Sequence, residues 1–259
     1  MRVDLNADLG EGFGDDSGLL GIVSSANIAA GAHAGGGQLL ERAVADAVRH
    51  GVAVGAHPSY RDREGFGRRS ELDGLRDDPA GRARLVADVV GQVLLVADEV
   101  ERCGVGLAHV KAHGALYNEA VVDRVAAELV VEAVTVAARS CGHSPALMTQ
   151  PGGALARLAA QVGLVVRAEG FVDRGYRASG SLVPRGEPGA LLVDPAAMTA
   201  QALALASGRV RSVEGPWVDV PVDSLCVHGD TPGALAAARS VRSALEGAGW
   251  RIAAPANPT

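Results

Sequence analysis

The feature that most constrains this chain is a rhythm. Strand-like runs give way to helical patterns about seven times, with no Pro/Ser-rich linker and no shift in composition. Strands are read at Val3–Leu9, Ser25–Ala30, Val52–His57, over the stretch Leu107–Asn118, and at Ala146–Thr149, Leu164–Phe171 and Leu225–Gly229. Helices are read at Ser17–Val23, from Gly35-Gly36-Gly37 to His50, from Pro79 to Cys103, over Val121–Arg139 and Gly153–Val162, from Pro195 to Ser207, and over Pro232–Gly247. Val210–Val220 reads as a hairpin and Trp250–Ala254 as a terminal extended piece. Such an order implies parallel strands joined by right-handed crossovers.

The strand ends decide between an open doubly wound sheet and a barrel. Polar residues gather at the C-terminal ends of many strands: Asp8, Asn27, His57, Lys111 with His113, Glu169, and His228 with Asp230. An open sheet would collect them at one switch point. Spread around the sheet, they suit the upper face of a barrel. The expected fold is α/β, a distorted seven- or eight-stranded (β/α) barrel of TIM type, with residues 1–259 as one domain. Aromatics make up only 3% of the residues, so its core must be aliphatic and alanine-rich.

Two strands carry unusual polar faces. In the first, Val3, Leu5, Ala7 and Leu9 share one side, and Asp4, Asn6 and Asp8 the other, with Glu11 in the turn that follows. In the fourth, Leu107, His109, Lys111 and His113 alternate with Ala108, Val110 and Ala112. Lys111 is the only lysine, against 23 arginines. Lysine, unlike arginine, can lose its proton when burial lowers its pKa, so Lys111 is read as a site residue.

Charge and motifs exclude several classes. A net charge of −6, without a basic cluster, argues against nucleic acid. No apolar run is long enough for a bilayer and no secretory leader is visible, which predicts a cytoplasmic protein. Cys103, Cys141 and Cys226 lack C-x-x-C spacing and read as buried free thiols. There is no G-x-S-x-G elbow, no H-E-x-x-H helix and no G-x-G-x-x-G turn after the first strand. A Walker loop is excluded because no glycine loop precedes Lys111.

General acid–base chemistry needs titratable groups within reach of one another with their pKa values pushed apart. The candidate catalytic set is Asp8, His33, His57, Lys111, His113, Glu169 and Asp230. Candidates for substrate binding are Asn6, Asn27, Gly35, Asp173, Arg174 and His228. Gly35–Gly37 open a helix whose free N–H groups favour an anion. Asp230 or Thr231 can equally serve as a cap for the helix at Pro232, and Glu169, Asp173 and Arg174 as one ion-pair network. Whether a metal binds is left open; if one does, its ligands are read as Asp8, His33, His57 and His228.

The motifs DLNADLGEGFG, SSANIAAGAHAGG, GVAVGAHPSY, GFGRR, HVKAHGALYN, FVDRGY, SLVPR and CVHGDTPGA occur in this order from residue 2 to about 251. Together they resemble the LamB/YcsF family of 5-oxoprolinase A subunits. The resemblance implies a distorted barrel related to polysaccharide deacetylases. It also implies ATP-dependent opening of 5-oxoproline to L-glutamate, with ATP used through separate B and C subunits. In this chain Ala30, Ala32 and Gly36 stand where the family usually has Cys, Phe and Asp, and Ala112 where it has Pro. Gly36 removes a carboxylate beside His33. Restoring it with Gly36→Asp at a helix start is expected to preserve or raise stability if the backbone φ there is negative. Two other readings stay open: a stand-alone metal-dependent amide hydrolase or deacetylase, and a non-catalytic metabolite-binding regulatory barrel. A homo-oligomer is compatible with each.

Overall fold

In the computed structural model, which describes residues 1–229 and 233–256, alternation in the first strand sets the frame. The chain runs β1 (Arg2–Leu9), α1 (Asp16–Leu20), β2 (Ser25–Ala29), α2 (Gln38–Arg49) and β3 (Ala53–His57). There follow α3 (Leu72–Leu75), α4 (Pro79–Arg102), β4 (His109–Val110), α5 (Gly114–Val122) and α6 (Arg124–Cys141). Next come β5 (Ala146–Thr149), α7 (Ala154–Gln161), β6 (Val166–Phe171) and α8 (Pro195–Ala206). The order ends with β7 (Arg209–Arg211), β8 (Trp217–Asp219), β9 (Ser224–Cys226), α9 (Ala234–Gly247) and β10 (Arg251–Ile252).

β1 pairs in parallel with β2 on one side and β9 on the other, which closes a barrel in the order β1-β2-β3-β4-β5-β6-β9. The closed ring therefore has seven strands. The eighth parallel strand, β10, adds to β1 only at Arg2 and Val3, beside the point where β9 joins at Asp4–Asn6. β7 and β8 form the antiparallel hairpin expected outside the ring.

Parallel strands covered on both faces should be apolar throughout. β1 keeps that rule on its outer face, where Val3, Leu5, Ala7 and Leu9 join the aliphatic core beneath the helices. Its inner face breaks the rule, because Asp4, Asn6 and Asp8 are all buried inside the ring. Neighbouring strands make room for these groups. On β3, a Cβ at Gly55 would lie 2.2 Å from His109 Nε2, so only glycine lets that imidazole into the barrel.

The helices follow local signals. α4 starts with Pro79 as its first residue, and Leu85, Val86, Val89, Val93, Val96 and Val100 form its buried stripe. The stretch Leu107–Asn118, read as the fourth strand, is β4 followed by α5, and the helical pattern read over Val121–Arg139 is α6 with the last two residues of α5. Asp123 leaves helical geometry (φ −102°, ψ 129°), and its carboxylate accepts from the N–H groups of Val125 and Ala126 to cap α6. The break frees α5 to start at the end of β4, directly over the barrel mouth. The pattern read from Pro232 begins at Ala234 as α9, and the proposed caps Asp230 and Thr231 lie outside the described residues. Among the described residues, no helix is long and apolar enough to cross a membrane.

Candidate active site

The polar groups inside the barrel form a connected network from its floor to its mouth. At the floor, Asp4 accepts hydrogen bonds from the hydroxyls of Ser24, Ser25 and Ser224. Above it, Asn6 Nδ2 donates to Ser224 Oγ (2.8 Å) and Glu169 Oε1 (3.1 Å), and Asn27 Nδ2 donates to Asn6 Oδ1 and Asp8 Oδ1 (both 2.8 Å). His109 Nε2 donates to Asn27 Oδ1 at 2.6 Å. Asn6 and Asn27, both read as substrate ligands, are fully buried in this layer and orient the carboxylates above them.

Lys111 is the centre of the next layer. Its Nζ lies 2.8 Å from Glu169 Oε1, 3.0 Å from Asp8 Oδ1 and 3.2 Å from Cys226 Sγ. Tyr117, in the first turn of α5, donates from its hydroxyl to Glu169 Oε2 at 2.8 Å. Burial disfavours the ammonium, but Asp8, Cys226 and Glu169 outweigh it and hold the Lys111 pKa well above the ordinary lysine range. Burial raises Asp8 in turn, and His57 and Lys111 outweigh that, leaving its carboxyl well below the usual range. Lys111 is thus a fixed positive charge, suited to holding negative charge and not to losing its proton.

Three histidines stand beside this layer. His57 Nδ1 bonds to the Lys111 carbonyl (2.8 Å), its Nε2 lies 3.4 Å from Asp8 Oδ2, and His113 Nδ1 is 3.0 Å from His57 Nε2. The rings of His33 and His113 stack with centroids 3.8 Å apart. Glu11, from the turn after β1, approaches His33 Nε2 to 3.2 Å. Close to Asp8 and Cys226, His228 Nδ1 bonds to both carboxylate oxygens of Asp173 (2.9 and 2.8 Å), and Arg185 Nη2 lies 3.3 Å from Nε2. Burial opposes the imidazolium of His228, but Asp173 prevails and raises its pKa.

A cavity of about 400 Å³ opens over these groups, lined among others by Asp8, Lys111, His57, His113, Phe171 and His228. That volume suits a small organic molecule.

The remaining sequence expectations divide by geometry. Glu169, Asp173 and Arg174 do not form one ion-pair network: Glu169 pairs with Lys111 and Asp173 with His228. Arg174 donates to the carbonyls of Ala190 and Val183, which pins the 181–185 wall of the cavity. Gly35 is absent from the cavity wall. It packs against the turn after β1, where a Cβ would lie 2.0 Å from the Gly10 carbonyl oxygen. The four proposed metal ligands fall into two groups, His33 and His57 with Glu11 and His113, and Asp8 and His228 with Cys226. Asp230 lies outside the described residues. Glu11, Tyr117 and Cys226 were missed as site residues. Glu11 and Cys226 carried a strand-end signal; Tyr117 falls in the stretch read as the fourth strand and sits instead in the first turn of α5.

Gly36 has φ +86°, and a Cβ there would sit 3.0 Å from Gly31 Cα. The condition for a harmless Gly36→Asp is not met. We expect that substitution to lower stability by about 1–3 kcal/mol, read as a fall in the urea midpoint; an unchanged midpoint would contradict this backbone reading.

Buried neutral histidines also make stability depend on pH. Burial, then His57, lowers His33 to about 3; burial, then Lys111, lowers His109 to about 3. Between about pH 6.5 and 3, the unfolded chain therefore binds protons that the folded chain refuses. Stability should fall with acidification across that window by about 1.4 kcal/mol per pH unit for each of the two. Asp8, with its depressed pKa, adds a further loss only at lower pH. Urea unfolding at pH 7, 6 and 5 checks this, and a flat profile would refute it.

Comparison with known proteins agrees with the geometry. The model of the LamB/YcsF family matches residues 3–259. The lactam utilization protein from Thermus thermophilus superposes with a TM-score of 0.88 at 38% identity, covering 98% of this chain and 100% of that one. A barrel assigned to cellobiose-phosphate cleavage, from Enterococcus faecalis V583, superposes at 0.52 with 11% identity over 97% of this chain and 96% of that one, a likeness of fold alone. The family match spans both polar strands, the Lys111 layer and the histidines beside it, so the site and the barrel that builds it are matched together: the chain belongs to the LamB/YcsF family.

Proposed function

We propose that the chain is the A subunit of a 5-oxoprolinase, a hydrolase acting on a cyclic amide. With partner subunits B and C it opens 5-oxo-L-proline (pyroglutamate) to L-glutamate, coupled to ATP hydrolysis. The observation that carries this reading is the Lys111 ammonium, fixed by Asp8 and Glu169 at the wall of a cavity of about 400 Å³. Its kinship with a lactam utilization protein supports the substrate class.

A lactam is a poor electrophile, and ATP supplies the activation that its opening requires. We assign the use of ATP to the partners, because the chain's one lysine is buried in the barrel and follows no glycine loop. This chain's residues supply the rest. Lys111 stabilises negative charge that develops on the ring oxygen, without having to reorient. Asp173 accepts from His228 Nδ1–H, so the Nε2 lone pair, which accepts from Arg185 Nη2, is the base that takes a proton from water when Arg185 turns away. Tyr117 keeps Glu169 turned toward Lys111.

The test is reconstitution. The chain, subunits B and C, ATP and 5-oxoproline together should yield glutamate, and omission of any one should abolish it. A folded complex that forms none would sink the reading.

A further inference from the structure

The three histidines beside Lys111 raise a question of proton counting that the proposed reaction does not answer. A neutral imidazole has one N–H to give. His57 Nδ1 lies 2.8 Å from the Lys111 carbonyl oxygen, and His113 Nε2 lies 2.9 Å from that of Phe66. A carbonyl oxygen only accepts, so each ring spends its proton there. The nitrogens left over, His57 Nε2 and His113 Nδ1, then face each other 3.0 Å apart as two lone pairs.

His33 repeats the pattern. Ser59 Oγ donates its single proton to the Tyr60 carbonyl at 2.8 Å, so it accepts from His33 Nδ1 at 2.9 Å. That leaves His33 Nε2 as an acceptor, 3.2 Å from the carboxylate oxygen Glu11 Oε1. The same oxygen is 3.9 Å from His113 Nδ1. Four electron-pair donors thus converge, all within 4.8 Å of one another. One extra proton between His57 and His113 would satisfy that pair and leave the opposition of His33 and Glu11 unresolved. A single cation bound to all four resolves both.

We propose that Glu11, His33, His57 and His113 form a site for one divalent transition-metal ion of the zinc class. Imidazole nitrogens about 2 Å from a common ion are themselves separated by about 3–4 Å; His57 Nε2 and His113 Nδ1 are 3.0 Å apart, and His33, stacked on His113, has to tilt to aim Nε2 at the same ion. Three imidazoles with one carboxylate suit Zn²⁺ and its first-row neighbours rather than Mg²⁺ or Ca²⁺. Each ring's far nitrogen is held by an oxygen acceptor, the outer arrangement that fixes tautomer and direction in metal-bound histidines. The backbone supports it too: Phe66, whose carbonyl orients His113, adopts φ +56°, which non-glycine residues rarely do. The site differs from the ligand set read from sequence by gaining Glu11 and His113 and leaving out Asp8 and His228. It does not depend on 5-oxoproline being the substrate.

The test uses the full chain, stripped with a chelator and titrated with Co²⁺ or Zn²⁺. We expect one equivalent bound per chain by elemental analysis, with ligand-field bands in the visible spectrum for Co²⁺. His113→Ala should weaken affinity about 100-fold or more, and Ser59→Ala about 10- to 100-fold through His33. Glu11→Gln, nearly isosteric, serves if the alanine variant fails to fold, and should weaken affinity likewise. His50→Ala, at an exposed position away from the site, should leave binding unchanged. Absence of stoichiometric binding, or binding indifferent to both His113→Ala and Glu11→Gln, would overturn the proposal.

Discussion

Lys111→Ala should lower stability by about 3–5 kcal/mol and abolish partner-dependent turnover. The stability figure is that of breaking a buried ion pair by removal of one partner, which strands the other charge. Here two carboxylates are stranded, Asp8 and Glu169, whose side chains are 8% and 0% exposed. Neither has a second ammonium or guanidinium within salt-bridge distance among the described residues, and no other lysine exists to substitute. Lys111→Arg should not rescue, because a planar guanidinium cannot occupy the compact position between Asp8, Glu169 and Cys226. Neutralising the layer as a whole, with Lys111→Met, Asp8→Asn and Glu169→Gln together, should recover much of the stability and none of the activity. Urea denaturation and glutamate formation measured on the same variants separate the two effects. A Lys111→Ala protein of wild-type stability would show that the ion pairs are not what holds this layer.

The second large effect falls on His228. His228→Gln should reduce turnover about 10²- to 10⁴-fold, the usual contribution of a positioned acid or base, while its side-chain amide can still donate to the buried Asp173 carboxylate and keep the fold. Asp173→Asn carries a sharper signature. Asp173 raises the His228 pKa, and a general base is active in its unprotonated form. Removing the carboxylate charge should therefore shift the acidic limb of the pH–rate profile to lower pH, besides lowering the maximum. A reduced rate with an unmoved limb would mean that Asp173 acts by packing and that the base lies elsewhere.

How much of this was legible beforehand depends on the scale of the interaction. The barrel followed from period-2 and period-3.6 patterns, which are local and survive in a single sequence. The inward face of β1 was equally plain: Asp4, Asn6 and Asp8 cannot all be buried unless the ring interior is polar, and Ser24, Ser25 and Ser224 make it so. What could not be read was pairing across the ring. Glu169 and Lys111 are 58 positions apart, while Asp173 and Arg174 lie close by in sequence, so proximity suggested the wrong network. Lys111 was identifiable as singular, but the sign of its pKa shift depends on two carboxylates that only the closed barrel brings to it. Gly35–Gly37 looked like an anion cradle. Gly35 is instead a close contact with Gly10, and Gly36 a left-handed turn that a side chain would strain.

The ring to be opened is assigned to the cavity lined by Lys111 and His228. Crystals of the chain grown with 5-oxoproline test it most directly. Ring density is expected in that cavity, with a substrate oxygen facing Lys111 Nζ and the amide carbon open to water at His228 Nε2. A ring bound elsewhere on the chain, or a vacant cavity in protein that still supports turnover with its partners, would contradict it.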